Sequence, residues 1–138
     1  MKRIILSGGG TGGHIYPAVS VAEALRRRLG DDVEILFVGA EGKMEMTLIP
    51  KLGYRIVGVP IAGLQRRLSW SNLALPARII RSLRQARKIL KGFQPDVVAG
   101  FGGYASAPIL WMAQRMGIPT VIQEQNSYAG LVNKIVGD

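Results

Sequence analysis

The chain has 138 residues, enough for one domain around a single sizeable core. Its 48% hydrophobic content and mean hydropathy of +0.20 exclude a disordered chain, and no run reaches the roughly 18 apolar residues of a membrane span. The absence of cysteine excludes a disulfide framework and a thiolate metal site, while a net charge of +9 and a pI near 10.5 call for an anionic partner, whether nucleic acid, acidic lipid or a phosphorylated substrate. The opening Met-Lys-Arg-Ile-Ile-Leu-Ser-Gly has too short an apolar core for a signal peptide, so cytoplasmic residence is the expectation.

Taken in chain order, residues 3–7 read as a strand that runs into Ser-Gly-Gly-Gly-Thr-Gly-Gly-His-Ile-Tyr-Pro, from Ser7 to Pro17. Five glycines among the six residues Gly8–Gly13 leave a backbone bare enough to fold its N–H groups against a diphosphate. A helix follows over 17–29, and strand, glycine turn and helix N-terminus in that order make an anion site. His14, the only histidine, stands at its edge. Strands follow at 33–38, 55–59, 96–100 and 120–123, with helices at 42–52, 72–91, 105–116 and about 130–136. Continuous apolar strands alternating with helices predict an α/β fold: a Rossmann-like parallel sheet covered on both faces. In such a fold ligands sit outside the carboxyl ends of the strands. Three segments meet that rim: the first glycine turn, the second at Gly100-Phe101-Gly102-Gly103-Tyr104, and Gln123-Glu124-Gln125-Asn126-Ser127. The chain stops just after a helical segment with no tail, as a piece of something longer would.

Gly8, Gly10 and Gly13 also fit the dinucleotide fingerprint Gly-x-Gly-x-x-Gly, with Glu41 near the end of the second strand as the acid it calls for. The extra glycines, His14 and the second glycine turn are not part of that pattern, and no Gly-Lys-Ser/Thr is present for a nucleotide-hydrolysing loop. His14 reads either as a turn-closing side chain or as a substrate contact and general base, since its ordinary pKa of about 6.5 suits proton abstraction. Glu124 and Asn126 read either as a strand end and helix cap or as sugar contacts. Tyr104 either stacks on a ring or packs the helix start.

Charge is one-sided between Glu45 and Asp96, with ten Lys or Arg and no acid. Over 76–91, Ile79, Ile80, Leu83, Ala86, Ile89 and Leu90 recur at helical spacing and are expected to face the sheet, with Arg78, Arg81, Arg84, Lys88 and Lys91 on the other side. Just before them lie Leu64, Arg66, Arg67, Leu68, Trp70, Leu73 and Leu75. Bases beside apolar and Trp side chains suit an anionic bilayer surface, each base contributing on the order of 1 kcal/mol. Nucleic acid is the weaker partner, because stacking platforms and reading motifs are lacking.

These residues together resemble the amino-terminal half of the MurG family, the UDP-N-acetylglucosamine transferases that convert lipid I to lipid II in peptidoglycan synthesis. The resemblance runs over essentially the whole chain. It rests on Gly8–His14 with Pro17, on Gly100–Tyr104, and on Glu124, Gln125 and Asn126 with Gly130 and Asn133. Gln123 departs from it, since the family usually has histidine there. The resemblance implies the first half of a two-domain GT-B glycosyltransferase. Residues 1–138 are then a single acceptor-binding domain, and the domain that binds most of the donor lies outside this chain. It further implies that Thr11, Gly12, Gly13 and Asn126 reach the donor UDP-N-acetylglucosamine, and that Gly10, His14, Gly102, Gly103 and Tyr104 receive the acceptor diphosphate and sugar. Residues 64–91 would dock on anionic lipids of the cytoplasmic face of the inner membrane. His14 is the first candidate base and Glu124 the second, and neither a metal nor a cofactor is expected. The readings from other classes are a stand-alone nucleotide or anionic-lipid binding module and a dinucleotide-dependent oxidoreductase.

Overall fold

Strand β1 (Lys2–Ser7) is wholly buried from Ile4 to Ser7, and the rest of the sheet is built outward from it. The computed structural model describes residues 1–8, 12–60, 74–102, 106–123, 132 and 134–136, with the side chains of 12–14, 74–76 and 78 excepted. Helix α1 (Gly12–Leu29) is followed by a short 3-10 turn at Gly30–Asp32, β2 (Val33–Ala40), α2 (Glu45–Lys51) and β3 (Arg55–Val59). Then come α3 (Ala74–Phe93), β4 (Val97–Gly100), α4 (Ser106–Arg115) and β5 (Thr120–Ile122). Val132 and residues 134–136 are helical.

All four strand pairings are parallel and the order is β3-β2-β1-β4-β5. Strands buried on both faces read as uninterrupted apolar runs, which is why Ile35-Leu36-Phe37-Val38 shows no alternation. The two faces nevertheless sort by parity. Ile4, Leu6, Ile35 and Phe37 pack with Ile15, Ala18, Ala22 and Leu25 of α1, Ile49 of α2, and Val132 and Ile135. Ile5, Leu36, Val38 and Val98 pack with Ala86, Ile89 and Leu90 of α3 and Ile109 and Ala113 of α4. Helices on both faces of one parallel sheet make the doubly wound α/β fold that the sequence predicts.

Two expectations are corrected. Helix α1 begins at Gly12, five residues before the expected start at Pro17, so His14 is the third residue of a helix and not part of a loop. Glycines and a proline hide a helix start from propensity reading, yet Pro17 sits inside the helix. On α3, Ile79 and Ile80 are 44% and 54% exposed instead of facing the sheet. Among the residues of α3 whose side chains are described, the buried ones are Ser82, Ala86, Ile89, Leu90 and Phe93.

Candidate functional site at the carboxyl rim

The strand order reverses direction at β1, whose neighbours are β2 on one side and β4 on the other. That is the switch point where an open α/β sheet leaves a crevice outside its carboxyl ends. Ser7 and Gly100, the last residues of β1 and β4, are register partners, so the two glycine-rich segments leave the sheet side by side. Hydrogen bonds carry the alignment past the strand ends. The Phe101 N–H donates to the Ser7 carbonyl at 2.8 Å, and the Gln123 N–H donates to the Gly100 carbonyl at 2.8 Å. On the other flank the Val38 carbonyl accepts the Ser7 hydroxyl at 3.1 Å and the Gly8 N–H at 3.4 Å.

Both helices that follow these strands start at the same rim. Helix α1 begins five residues after Ser7 and α4 six residues after Gly100, so both positive dipole ends open at the carboxyl end of the sheet, α1 on one face and α4 on the other. Between β4 and α4, Gly102 has φ +90°, a left-handed conformation that glycine adopts without steric cost. Its carbonyl accepts the Ser106 hydroxyl at 3.1 Å, which ties the turn to the first residue of α4.

Of the predicted site residues, Gly12, Gly13 and His14 form the first turn of α1, and Gly102 lies two residues past the end of β4, the strand paired with β1. Gly10, Thr11, Gly103, Tyr104, Glu124 and Asn126 lie outside the described residues. Glu41, on which a dinucleotide reading relies, is exposed and lies over β3, where a Cβ added to Gly58 would come within 2.8 Å of its Cγ. It directly follows Ala40, the last residue of β2 beside β1, and its N–H donates to the Val59 carbonyl of β3 at 3.0 Å.

In the predicted lipid-facing region, Leu64, Arg66, Arg67, Leu68, Trp70 and Leu73 fall outside the described residues, and Leu75 and Arg78 are placed only as positions on α3. Arg81 is exposed, as are Arg84, Arg87, Lys88 and Lys91. The neighbouring α4 adds a residue that the sequence reading missed. Trp111 is 47% exposed, with the Arg115 guanidinium 5.0 Å from its ring centroid. Their four-residue separation on one helix face was the available signal. Since α3 and α4 pack against each other on the same sheet face, Ile79, Ile80 and Trp111 belong to one side of the molecule.

Comparison with known proteins gives one family. The model described as "Glycosyltransferase family 28 N-terminal domain" matches residues 4–138. A relative from Porphyromonas gingivalis, named UDP-N-acetylglucosamine–N-acetylmuramyl-(pentapeptide) pyrophosphoryl-undecaprenol N-acetylglucosamine transferase, is 59% identical over 134 residues, covering 97% of this chain and 35% of the relative. A protein of the same name from Bacteroides fragilis is 56% identical with the same coverage. Among solved structures, Acinetobacter baumannii MurG superposes with a TM-score of 0.77 at 29% identity, over 98% of this chain and 40% of that one. The calicheamicin glycosyltransferase CalG4, at 18% identity and a TM-score of 0.61, covers 100% of this chain and 38% of its own, and shares the fold. The chain thus spans about a third of the length of the relatives it matches.

Proposed function

Because the chain belongs to the N-terminal domains of glycosyltransferase family 28, we propose that it is the acceptor- and membrane-binding domain of an inverting N-acetylglucosaminyltransferase of peptidoglycan synthesis. The donor is UDP-N-acetylglucosamine and the acceptor is the polyprenyl-diphosphate-linked muramyl peptide, lipid I. A second domain supplies most of the donor pocket, and the protein works as a peripheral enzyme at the cytoplasmic face of the inner membrane. The observation that carries this reading is the register pairing of Ser7 with Gly100, which sends two glycine-rich turns off adjacent strands at the switch point. Main-chain amides and helix N-termini at the carboxyl ends of two adjacent strands would favour a diphosphate without a metal.

In the reaction the acceptor 4-hydroxyl oxygen bonds to the anomeric carbon of N-acetylglucosamine as the bond from that carbon to the UDP oxygen breaks. UDP leaves from the opposite face, so configuration inverts through a transition state of oxocarbenium character. The hydroxyl proton passes to a base. His14 is the first choice, because the start of α1 puts it at the rim, and Glu124 is the second. On the acceptor side Gly10, Gly102, Gly103 and Tyr104 hold diphosphate and sugar, while Thr11, Gly12, Gly13 and Asn126 reach the donor.

The lipid-facing side is formed by the bases and apolar residues of 64–81 together with Trp111. Exposed Ile79, Ile80 and Trp111 beside exposed Arg81, Arg84 and Arg115 support that role, as amphipathic surfaces of this kind lie at the boundary of headgroups and acyl chains. No helix among the described residues is long and apolar enough to cross a membrane. The test is flotation of this chain with phosphatidylglycerol vesicles, with and without a polyprenyl diphosphate. Binding to the anionic vesicles that tightens when the diphosphate is present supports the proposal. Equal binding with and without it leaves only an anionic-lipid module, and tight binding of NAD or FAD instead would contradict the proposal altogether.

A further inference from the structure

We infer that Glu45 is a positioning residue of the first glycine turn, acting through the end of β2 to hold Ser7 and Gly8 in place. Glu45 is fully buried, and it is the only acid in the core among the described residues. Burying a carboxylate is costly unless hydrogen bonds compensate, so its place asks for a reason. Two contacts supply one. Its Oε2 accepts the Ala40 N–H at 2.9 Å. Its Cγ rests on Gly39 so closely that a Cβ there would lie 2.6 Å away. The last two residues of β2 are thereby clamped from α2, one by a hydrogen bond and the other by packing.

The next residue back along β2 is Val38, whose carbonyl accepts both the Ser7 hydroxyl and the Gly8 N–H. The Ser7 carbonyl in turn accepts the Phe101 N–H at the head of the second turn. A continuous path of bonds therefore runs from the Glu45 carboxylate to the first residues of both glycine segments. Glu45 shares a helix face with Ile49, four residues on, but Ile49 packs into the core and takes no part in that path. Its effect on ligand binding rests on the diphosphate reading given above; its effect on the turn does not.

The experiment uses this chain with Glu45→Ala, Gly39→Ala, Glu45→Gln and the control Ile49→Ala. Amide hydrogen exchange is read at Gly8 and, as reference, at Leu36 in the interior of β2. Inorganic diphosphate binding is measured by calorimetry. Glu45→Ala and Gly39→Ala should speed Gly8 exchange roughly tenfold relative to Leu36, while Glu45→Gln, which keeps an acceptor for Ala40, stays within about threefold of wild type. Ile49→Ala should speed both amides together. Should Glu45→Ala fail to fold, Gly39→Ala and Glu45→Gln carry the comparison. If Gly8 and Leu36 move in parallel in every variant, Glu45 is only a core residue and the inference is overturned. If wild type binds diphosphate and the loosened variants bind it as tightly, the positioning role is overturned as well. Failure of wild type to bind diphosphate refutes the diphosphate reading, and the exchange data still decide the role of Glu45.

Discussion

Tyr54 shows how a single side chain ties the helix that begins at the rim to the edge of the sheet. Its hydroxyl donates to Glu23 Oε1 at 3.0 Å, its ring lies 5.2 Å from that of Phe37, and the Arg26 guanidinium stands 4.2 Å from its centroid. Burial first, and then the hydrogen bond and charge of Glu23, push its pKa up to about 12. The folded state thus favours the neutral phenol. The stability it contributes is present in full below the ordinary tyrosine value near 10 and is lost as pH rises toward about 12. Urea unfolding of wild type is expected to weaken over that window, and Tyr54→Phe, about 1 kcal/mol less stable at neutral pH, should show a flatter alkaline limb. Equal alkaline slopes would assign the loss to other groups. His14 carries the second prediction at this scale. In an enzyme that joins this chain to the proposed donor domain, His14→Ala should lower kcat roughly a hundredfold or more if it is the base, whereas a raised KM with kcat unchanged would make it a binding residue.

At the scale of elements, α3 is two structures in one. Leu90 and Ala86 are in the core, so Leu90→Ala should cost about 2–5 kcal/mol in chemical denaturation. Ile79 and Ile80 stand in solvent, so Ile79→Lys or Ile80→Lys should change stability by no more than about 0.5 kcal/mol. The same two substitutions should weaken binding to anionic vesicles, even though each adds a positive charge, because they remove apolar contact. Tighter vesicle binding would make α3 a purely electrostatic surface. Sequence alone could not separate Ile79 and Ile80 from Ala86 and Leu90, since a 3.6-residue pattern tells which residues share a face and not which of them the rest of the fold covers. The five strands were legible because each is a short apolar run bounded by turn residues, and their parallel sense followed from the helices between them. The start of α1 was not legible, because Gly12, Gly13 and Pro17 are poor helix formers. The rim itself was legible from its glycines. Glu45 was not, since an acid in the phase of Ile49 looks like a solvent-facing helix residue until Gly39 is seen beneath it.

For the molecule as a whole, the sheet divides the work. At its carboxyl rim β1 and β4 end side by side at Ser7 and Gly100, while the α3–α4 side presents bases and exposed apolar residues. With a net charge of +9, vesicle binding should fall steeply as ionic strength rises from about 0.05 M to 0.3 M, where the Debye length shrinks toward roughly 6 Å. Binding that ignores salt would mean that charge is not the attraction. The central claim is that two adjacent turns hold one diphosphate, and amide chemical shifts during titration with farnesyl diphosphate test it most directly. The account predicts that the amides of Gly8 and Gly12 on one side and of Phe101 and Gly102 on the other move together along a single binding curve. Shifts confined to one turn, or none at either, would contradict it.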